Sequence, residues 1–355
     1  MKDKLRAGVV GFGMGSNHAR GYVENDDVEL VAIAAKDDDR ILEMNKRCPG
    51  FNGSIYENFY EMLEKEKLDI VSVAVPNYLH KEFTIAALES GAHVLCEKPM
   101  ALNADEAQEM LDTAKRCGKK LGINFSYRFN PQSRAMKAIV EEGVLGDIYY
   151  GRTVWLRRRG IPGLEATAEG YGNWFFDKKQ SGGGPLIDLG VHRLDLALWL
   201  MDYPEPEWVM ASTYDKLAQR LAGEKGASYT VEDLACAMIK FKNGATLELD
   251  AAWAVNIRDS ELQQTRLVGE KGGIFQYNIN EDYKYEIEYY YEMAGRQFDS
   301  KLHTLKNVPS AYSLFVESVK EDKPFLVSPE QGVTVMRILD AVYKSAKEGT
   351  PVKIG

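Results

Sequence analysis

Cysteine is scarce in this chain. Four are scattered over 355 residues, at Cys48, Cys96, Cys117 and Cys236, with no C-x-x-C spacing, which excludes a disulfide framework or a zinc site as the organising device. No metal is expected. Long apolar runs are missing too: none approaches the roughly 18 to 20 residues that a membrane-spanning helix needs. The first six residues form a short charged lead into an apolar stretch, unlike a secretory signal, so the expected location is the cytoplasm and no membrane partner is expected. Positive charge is in deficit, with 44 Lys and Arg against 53 Asp and Glu and a formal net charge of -9. Nucleic-acid binding rests on clustered cations, so the expected partner is a small molecule and no nucleic acid.

What the chain has is an ordinary globular composition, 45% hydrophobic and 27% charged, at a length that exceeds what one growing core supports. Two domains are expected, with bounds at 1–124 and 125–355. The first part alternates short apolar runs with amphipathic stretches, the pattern of parallel strands joined by helical crossovers. It predicts strands over 4–10, 28–35, 70–75, 93–97 and 120–124, with helices over 18–24, 58–64, 81–90 and 104–117. This is an α/β, doubly wound Rossmann arrangement.

From Tyr149 onward the runs lengthen and become rich in Tyr, Trp, Val and Thr. Asn243-Gly244 between the alternating runs 235–241 and 245–252 is a hairpin signal. The second domain is therefore expected to be α+β, with a large, mostly antiparallel open sheet. Helices near 130–142, 185–201 and 312–320 cover one face, and the other face is left exposed or closed by another subunit. The stretch 157–184 is too long and too glycine-rich for an ordinary connection and is a candidate active-site loop. Trp174 within it is a candidate substrate-binding residue, an aromatic able to stack on a ligand. Arg157-Arg158-Arg159 reads as a strand edge with solvated charges.

The first strand ends in Gly11-Phe12-Gly13-Met14-Gly15-Ser16, a G-x-G-x-x-small loop in strand–turn–helix context. Gly11 permits the tight turn, Gly13 lets a pyrophosphate approach the backbone, and Ser16 allows close helix–strand packing. The free N–H groups of the helix N-terminus face the anion. At the end of the second strand an acid usually bonds the ribose 2′-hydroxyl of NAD, and a cation accommodates the phosphate of NADP. Here Ala35 stands at the acid position, followed by Lys36, suited to a phosphate, and Asp37, suited to a hydroxyl. The residues leave NAD or NADP open.

Two segments carry chemistry. Glu97-Lys98-Pro99 closes the fourth expected strand, where a lysine can reach a nicotinamide and a substrate oxygen. Pro99 fixes the backbone there, and a cis bond is one way to do so. Gly182-Gly183-Gly184 then opens a helix in which Asp188, His192 and Asp195, spaced by four and three, share one stripe among apolar neighbours. Such a carboxylate and imidazole need a polar destination.

Together these residues resemble the Gfo/Idh/MocA family, named for glucose-fructose oxidoreductase, inositol dehydrogenase and a rhizopine-catabolism protein. The resemblance runs over nearly the whole chain. It takes in the glycine loop, Val75-Pro76-Asn77 with His80, Glu97-Lys98-Pro99, Tyr127-Arg128-Phe129, the segment from Asp188 to Asp195, Gly269-Glu270-Lys271-Gly272-Gly273, and Ser345-Ala346-Lys347-Glu348-Gly349. It implies an oxidoreductase acting on carbohydrates, cyclic polyols or related hydroxyl compounds, with Lys98, Asp188 and His192 as the catalytic group. It further implies that Pro76, Asn77, His80 and Glu97 join the glycine loop around the cofactor, that Tyr127 and Arg128 line the substrate site, and that the chain forms a homodimer or homotetramer through its exposed sheet face. Two rival readings use the same residues differently: glycoside cleavage through transient oxidation and elimination, or nucleotide sensing without catalysis.

Overall fold

A computed structural model describes residues 4–36, 44–164 and 173–354. The chain divides into two compact units, one made of Met1–Phe125 with Pro309–Met336 and the other of Ser126–Val308 with Arg337–Gly355.

The first unit is built on six parallel strands: β1 (Leu5–Val10), β2 (Val28–Ala34), β3 (Ser54–Tyr56), β4 (Ile70–Val73), β5 (His93–Glu97) and β6 (Leu121–Asn124). Their order is β3-β2-β1-β4-β5-β6, the dinucleotide-binding order whose reversal between β1 and β4 opens a ligand crevice at the carboxyl ends of the strands. The crossovers include α1 (Gly15–Val23), α2 (Phe59–Lys65), α3 (His80–Glu89) and α4 (Ala104–Cys117). Local chemistry sets their ends. The Asn58 side chain accepts from the Tyr60 and Glu61 amides at the start of α2, and Asn103 accepts from the Glu106 amide at the start of α4. Acids Asp105 and Glu106 open α4, Lys115 and Arg116 close it, and Gly118 at φ 63° terminates it in the left-handed region.

The second unit starts with α5 (Pro131–Glu141) and β7 (Ile148–Arg157). A π-helical turn (Leu186–Gly190) then leads into α6 (Val191–Leu200), followed by β8 (Pro206–Tyr214), α7 (Ala218–Glu224), β9 (Leu234–Phe241), β10 (Thr246–Ala252), β11 (Glu261–Gly269), β12 (Gly272–Asn278), β13 (Tyr285–Met293) and β14 (Arg296–Lys301). With β15 (Val352–Lys353) these strands make one nine-stranded sheet, β14-β13-β12-β11-β7-β10-β9-β8-β15. All pairings are antiparallel except β7 with β10. Gly244 at φ 90° turns the expected Asn-Gly hairpin, and the Asn243 side chain accepts from the Ala245 amide. The helix α6 packs on β7, β10 and β11. The opposite face is polar and aromatic: Arg152 pairs with Asp250 at 3.0 Å, Arg266 lies over the Phe275 ring, and Phe275 stacks on Tyr277 at 5.0 Å. Arg157 closes β7, an interior strand rather than the expected edge, so its charge is paired and not simply solvated.

After β14 the chain adds α8 (Ala311–Lys320) and α9 (Pro329–Glu348). The α8 side chains Phe315 and Val316 are buried with Ala7, Val9, Tyr22, Ile33, Ile70 and Leu95 in the core of the first unit. Phe315 also meets Phe325 edge-on at 5.2 Å, and Gly122 of β6 leaves room for both rings. Truncating Phe315 to Ala removes a fully buried ring and should cost about 3 to 5 kcal/mol. Denaturant melts should show the loss in the first unit.

Candidate active site

In the first unit the glycine loop fits a dinucleotide. Gly11 sits at φ 85°, where a Cβ would lie 2.2 Å from the Ala74 carbonyl oxygen at the end of β4. Its amide donates to the Ala34 carbonyl at 2.8 Å. The backbone at the switch point is therefore bare of side chains by necessity, and α1 begins four residues later. The Ser16 hydroxyl donates to the Gly13 carbonyl at 2.9 Å, tightening the turn. Phe12 is buried, so it can offer a ligand only its backbone, while Met14 is exposed. Lys36 is exposed just past β2, and Asp37 lies outside the described residues.

At the ends of β4 and β5 stand further residues expected around the cofactor. Pro76 precedes a short turn over Asn77–Leu79, and Asn77 is buried. The His80 ring is 1% exposed, with Nδ1 at 2.7 Å from the Pro99 carbonyl and Nε2 at 2.9 Å from the Val75 carbonyl. Burial lowers its pKa, against the opposing pull of the two carbonyls. Set between these two carbonyls, of which a neutral ring donates to one, His80 lies between the segments after β4 and β5. Glu97 is held by its neighbours. Oε1 meets His18 Nε2 at 2.9 Å and accepts from Asn124 Nδ2 at 2.7 Å, and Oε2 accepts the Lys98 amide at 3.2 Å. His18 in turn reaches the Ser72 hydroxyl, which also meets Tyr22. Burial alone would raise the Glu97 pKa, but His18, Asn124 and the Lys98 charge outweigh it and hold it at about 2. Glu97 thus anchors the strand end through this network. Lys98 follows it, half-buried, and the Lys98–Pro99 bond is cis.

In the second unit the glycine-rich entry is set by close packing. A Cβ on Gly184 would lie 2.2 Å from the Glu232 carbonyl oxygen, and one on Gly183 would lie 1.8 Å from the Tyr343 hydroxyl. The buried Glu232 carboxylate accepts from the Gly184 amide at 2.9 Å, the Leu186 amide at 3.1 Å and the Tyr343 hydroxyl at 3.0 Å. Its pKa is raised by burial against those donors. The turn thus anchored is π-helical, with the Val191 amide donating to Leu186. Such wide turns recur at functional sites.

Asp188 lies on this turn and accepts from Trp253 Nε1 at 3.0 Å. His192 lies one turn on, half-buried, with its ring 5.3 Å from Tyr127 and 5.8 Å from Trp155. Asp195 does not join them. It is fully buried and held by Arg128, whose Nε and Nη2 donate to its two oxygens at 2.9 and 2.6 Å. Tyr203, presented by a left-handed backbone at φ 52°, donates to the same carboxylate at 2.6 Å. The expected stripe therefore splits into a half-buried pair and a structural ion pair. Arg128, expected to line the substrate site, is fully buried and pairs with Asp195.

Tyr127 lies beside His192. Its hydroxyl bonds Gln263 and Tyr285 at 2.9 Å each, and its ring faces His192. Trp174 stacks on Phe175 at 3.8 Å, and Phe175 meets Trp253 edge-on at 6.3 Å, which extends an aromatic surface toward Asp188. Sequence reasoning missed Trp155, Trp253, Glu232 and Arg193. Trp155 and Trp253 read as ordinary strand residues, and only the register between β7, β10 and the helix brings them here. Glu232 carried one signal, an acid at the edge of an apolar strand.

Two outcomes test these networks. Glu97 has a depressed pKa, so its contribution to stability is complete above its ordinary value near 4.5 and is lost as pH falls toward 2. The stability gap between wild type and Glu97→Gln, followed by denaturant titration, should therefore narrow steadily below pH 4.5. Asp195→Ala removes the buried carboxylate that accepts from both Arg128 and Tyr203 and should cost about 3 to 5 kcal/mol; a smaller loss would mean that the remaining contacts of Arg128 suffice for its charge.

Comparison with known proteins agrees with this geometry. Residues 5–125 match a family model described as "Oxidoreductase family, NAD-binding Rossmann fold", and residues 137–354 match "Oxidoreductase family, C-terminal alpha/beta domain". The chain is 34% identical to a D-glucoside 3-dehydrogenase of Escherichia coli over 99% of this chain and 97% of that one. It is 29% identical to a myo-inositol 2-dehydrogenase of Thermotoga maritima, covering 99% and 98% of the two chains. Among solved structures, a levoglucosan dehydrogenase bound to NADH and levoglucosan superposes with a TM-score of 0.84 at 24% identity, over 99% of this chain and 100% of that one, a likeness of fold. With both domain models matched in order along one chain, this protein belongs to the Gfo/Idh/MocA family of NAD-binding oxidoreductases.

Proposed function

We propose that the chain is an NAD(P)-dependent dehydrogenase that interconverts a secondary alcohol and a ketone on a sugar, sugar derivative or inositol, with Lys98, Asp188 and His192 as its catalytic group. The observation that carries this reading is half-buried Asp188 on the π-helical turn and half-buried His192 at the start of α6, set beside Trp253 and beside Tyr127 and Trp155. Aromatic faces beside a carboxylate and an imidazole suit a polyhydroxylated ring, which offers both C–H faces and hydroxyls. The names of the relatives, a glucoside and an inositol dehydrogenase, support the same substrate class.

Residues 1–124 are the proposed cofactor domain. The glycine cradle that a Cβ would fill at Gly11 suits a pyrophosphate. When bound, a nicotinamide dinucleotide supplies the hydride acceptor. His192 takes the hydroxyl proton as the alcohol is oxidised and returns it on reduction, the role to which an imidazole side chain is suited. Asp188, steadied by Trp253, orients His192 or binds a neighbouring hydroxyl, and Lys98 polarises the reacting oxygen. Lys36 and Asp37 are the proposed determinants of NADP against NAD. Residues 125–355 are the proposed substrate and oligomerisation domain, whose polar-aromatic sheet face joins copies into a homodimer or homotetramer in the cytoplasm. Among the described residues no helix is long and apolar enough to cross a membrane.

The test is direct titration of the purified protein with NADH and NADPH by nicotinamide fluorescence, followed by a panel of sugars, inositols and glycosides with the oxidised form of the tighter cofactor. Preference for NADPH assigns Lys36 as the phosphate partner, and preference for NADH points to Asp37. Binding of neither overturns the reading. His192→Asn should lower kcat about 10²- to 10⁴-fold and leave cofactor affinity unchanged; equal loss of both would remove His192 from the chemistry.

A further inference from the structure

Arg193, next to His192 on α6, is fully buried, yet no carboxylate among the described residues pairs with it. Its guanidinium donates to the Gln276 amide oxygen at 3.3 Å, to the Gln263 amide oxygen and to the Tyr285 hydroxyl at 3.3 Å. Aromatic faces supply the rest of its surroundings. Its central carbon lies 4.7 Å from the Tyr127 ring and 5.4 Å from each of the Trp155 and Tyr285 rings. Buried charge is ordinarily met by an opposite charge, as Arg128 is met by Asp195 in the same unit. Amide dipoles and ring faces stabilise the Arg193 cation without cancelling its field. The nearest negative charge on its hydrogen-bond path is one amide further on: Gln263 Nε2 donates to Glu261 at 2.9 Å, and Glu261 is already shared by Trp155 Nε1 and Arg157.

Tyr127 and Trp155, the rings that receive this cation, are the rings that flank His192. We infer that Arg193 is a positioning residue of the active site: it fixes Tyr127 and Trp155 as the wall beside His192, and its uncompensated charge keeps the His192 ring deprotonated at lower pH. The other ionisable groups around His192 in this unit are Asp188 on the π turn, Tyr127, Arg157 on β7, Glu261 on β11, and Tyr283 and Tyr285 near the start of β13. Asp188 and Glu261 oppose the effect and Arg157 assists it. The two contacts to Tyr127 place guanidinium and imidazole at most about 10 Å apart, where one charge at an effective dielectric constant of about 20 moves a pKa by about one unit.

The inference rests on the proposed role of His192 as base for its consequence, but its test does not. The chain has five histidines, so their imidazole carbon-bound protons can be followed by NMR across pH in the whole protein without substrate or cofactor, with His192→Asn giving the assignment. Arg193→Met should raise the His192 midpoint by about one pH unit. Gln263→Glu, nearly isosteric and placing a carboxylate against the guanidinium, should raise it in the same direction and carries the test if Arg193→Met does not fold. Arg193→Lys, which keeps the charge, should restore most of the wild-type midpoint. A His192 midpoint unmoved in folded Gln263→Glu or Arg193→Met overturns the inference, as does an Arg193→Lys shift equal to that of Arg193→Met. In turnover, the acid limb of the kcat/KM profile should move up with the midpoint. A wild-type protein inactive on every substrate tested would instead refute the dehydrogenase reading and leave the NMR result standing.

Discussion

A carboxylate taken out of water has to be met by donors, and in this protein that requirement decides where the candidate functional groups stand. Glu97 takes His18, Asn124 and the amide of Lys98 itself, so the residue proposed to polarise the substrate hangs from a saturated anion at the end of β5. Glu232 takes the amides of Gly184 and Leu186, and Asp188 follows two residues later. Asp195 takes the fork of Arg128, whose chain neighbour Tyr127 faces His192. Each candidate thus stands close in the chain to a buried charge whose partners are fixed. Such support is what holds reacting groups in geometry when a site must be rigid before substrate arrives.

The same requirement explains the glycines. Backbone amides can serve a buried carboxylate only if the chain comes close, and side chains prevent close approach. At Gly184 the space that a Cβ would need is occupied by the backbone of Glu232, and at Gly183 by the Tyr343 hydroxyl. At Gly11 it is occupied by the carbonyl of Ala74, whose amide donates to the Val10 carbonyl and joins β1 to the end of β4. Gly183 and Gly184 before the π turn therefore mark tight packing and not a supple loop. A glycine-rich stretch in sequence does not distinguish the two until its neighbours are known.

Much of this architecture was legible in the chain because it rests on local pattern. The apolar runs of β1, β2, β4, β5 and β6 and the capped helices between them read directly, as did the Asn243-Gly244 hairpin. Other parts depend on contacts distant in sequence. β3 is three half-exposed residues without alternation, and it exists because β2 offers it an edge. The twenty-residue α9 went unread, and the passage of 309–336 into the first unit follows from Phe315 and Phe325 filling the space over Gly122. Arg157 looked like an edge residue because strand order is not written in a strand's own residues. The stripe of Asp188, His192 and Asp195 assumed an α-helical spacing throughout, and the π turn held by Glu232 breaks that assumption.

The two buried arginines of the second unit show how far partner assignment outruns residue type. In the chain both Arg128 and Arg193 are cations beside an aromatic or imidazole neighbour, and the acid nearest to His192 along α6 is Asp195. Spacing alone makes Asp195 the natural companion of the histidine. In the fold, Asp195 is taken up by Arg128 and Tyr203, while Arg193 is met by amides, a phenol and ring faces. The charge felt at His192 from its own helix is therefore positive on one side and, through Asp188, negative on the other. A base between two such groups has its proton affinity set by which of them is compensated, and that is decided by Gln263 and Gln276, two neutral side chains from β11 and β12. An acid at either position would give the same helix, the same rings and a different base.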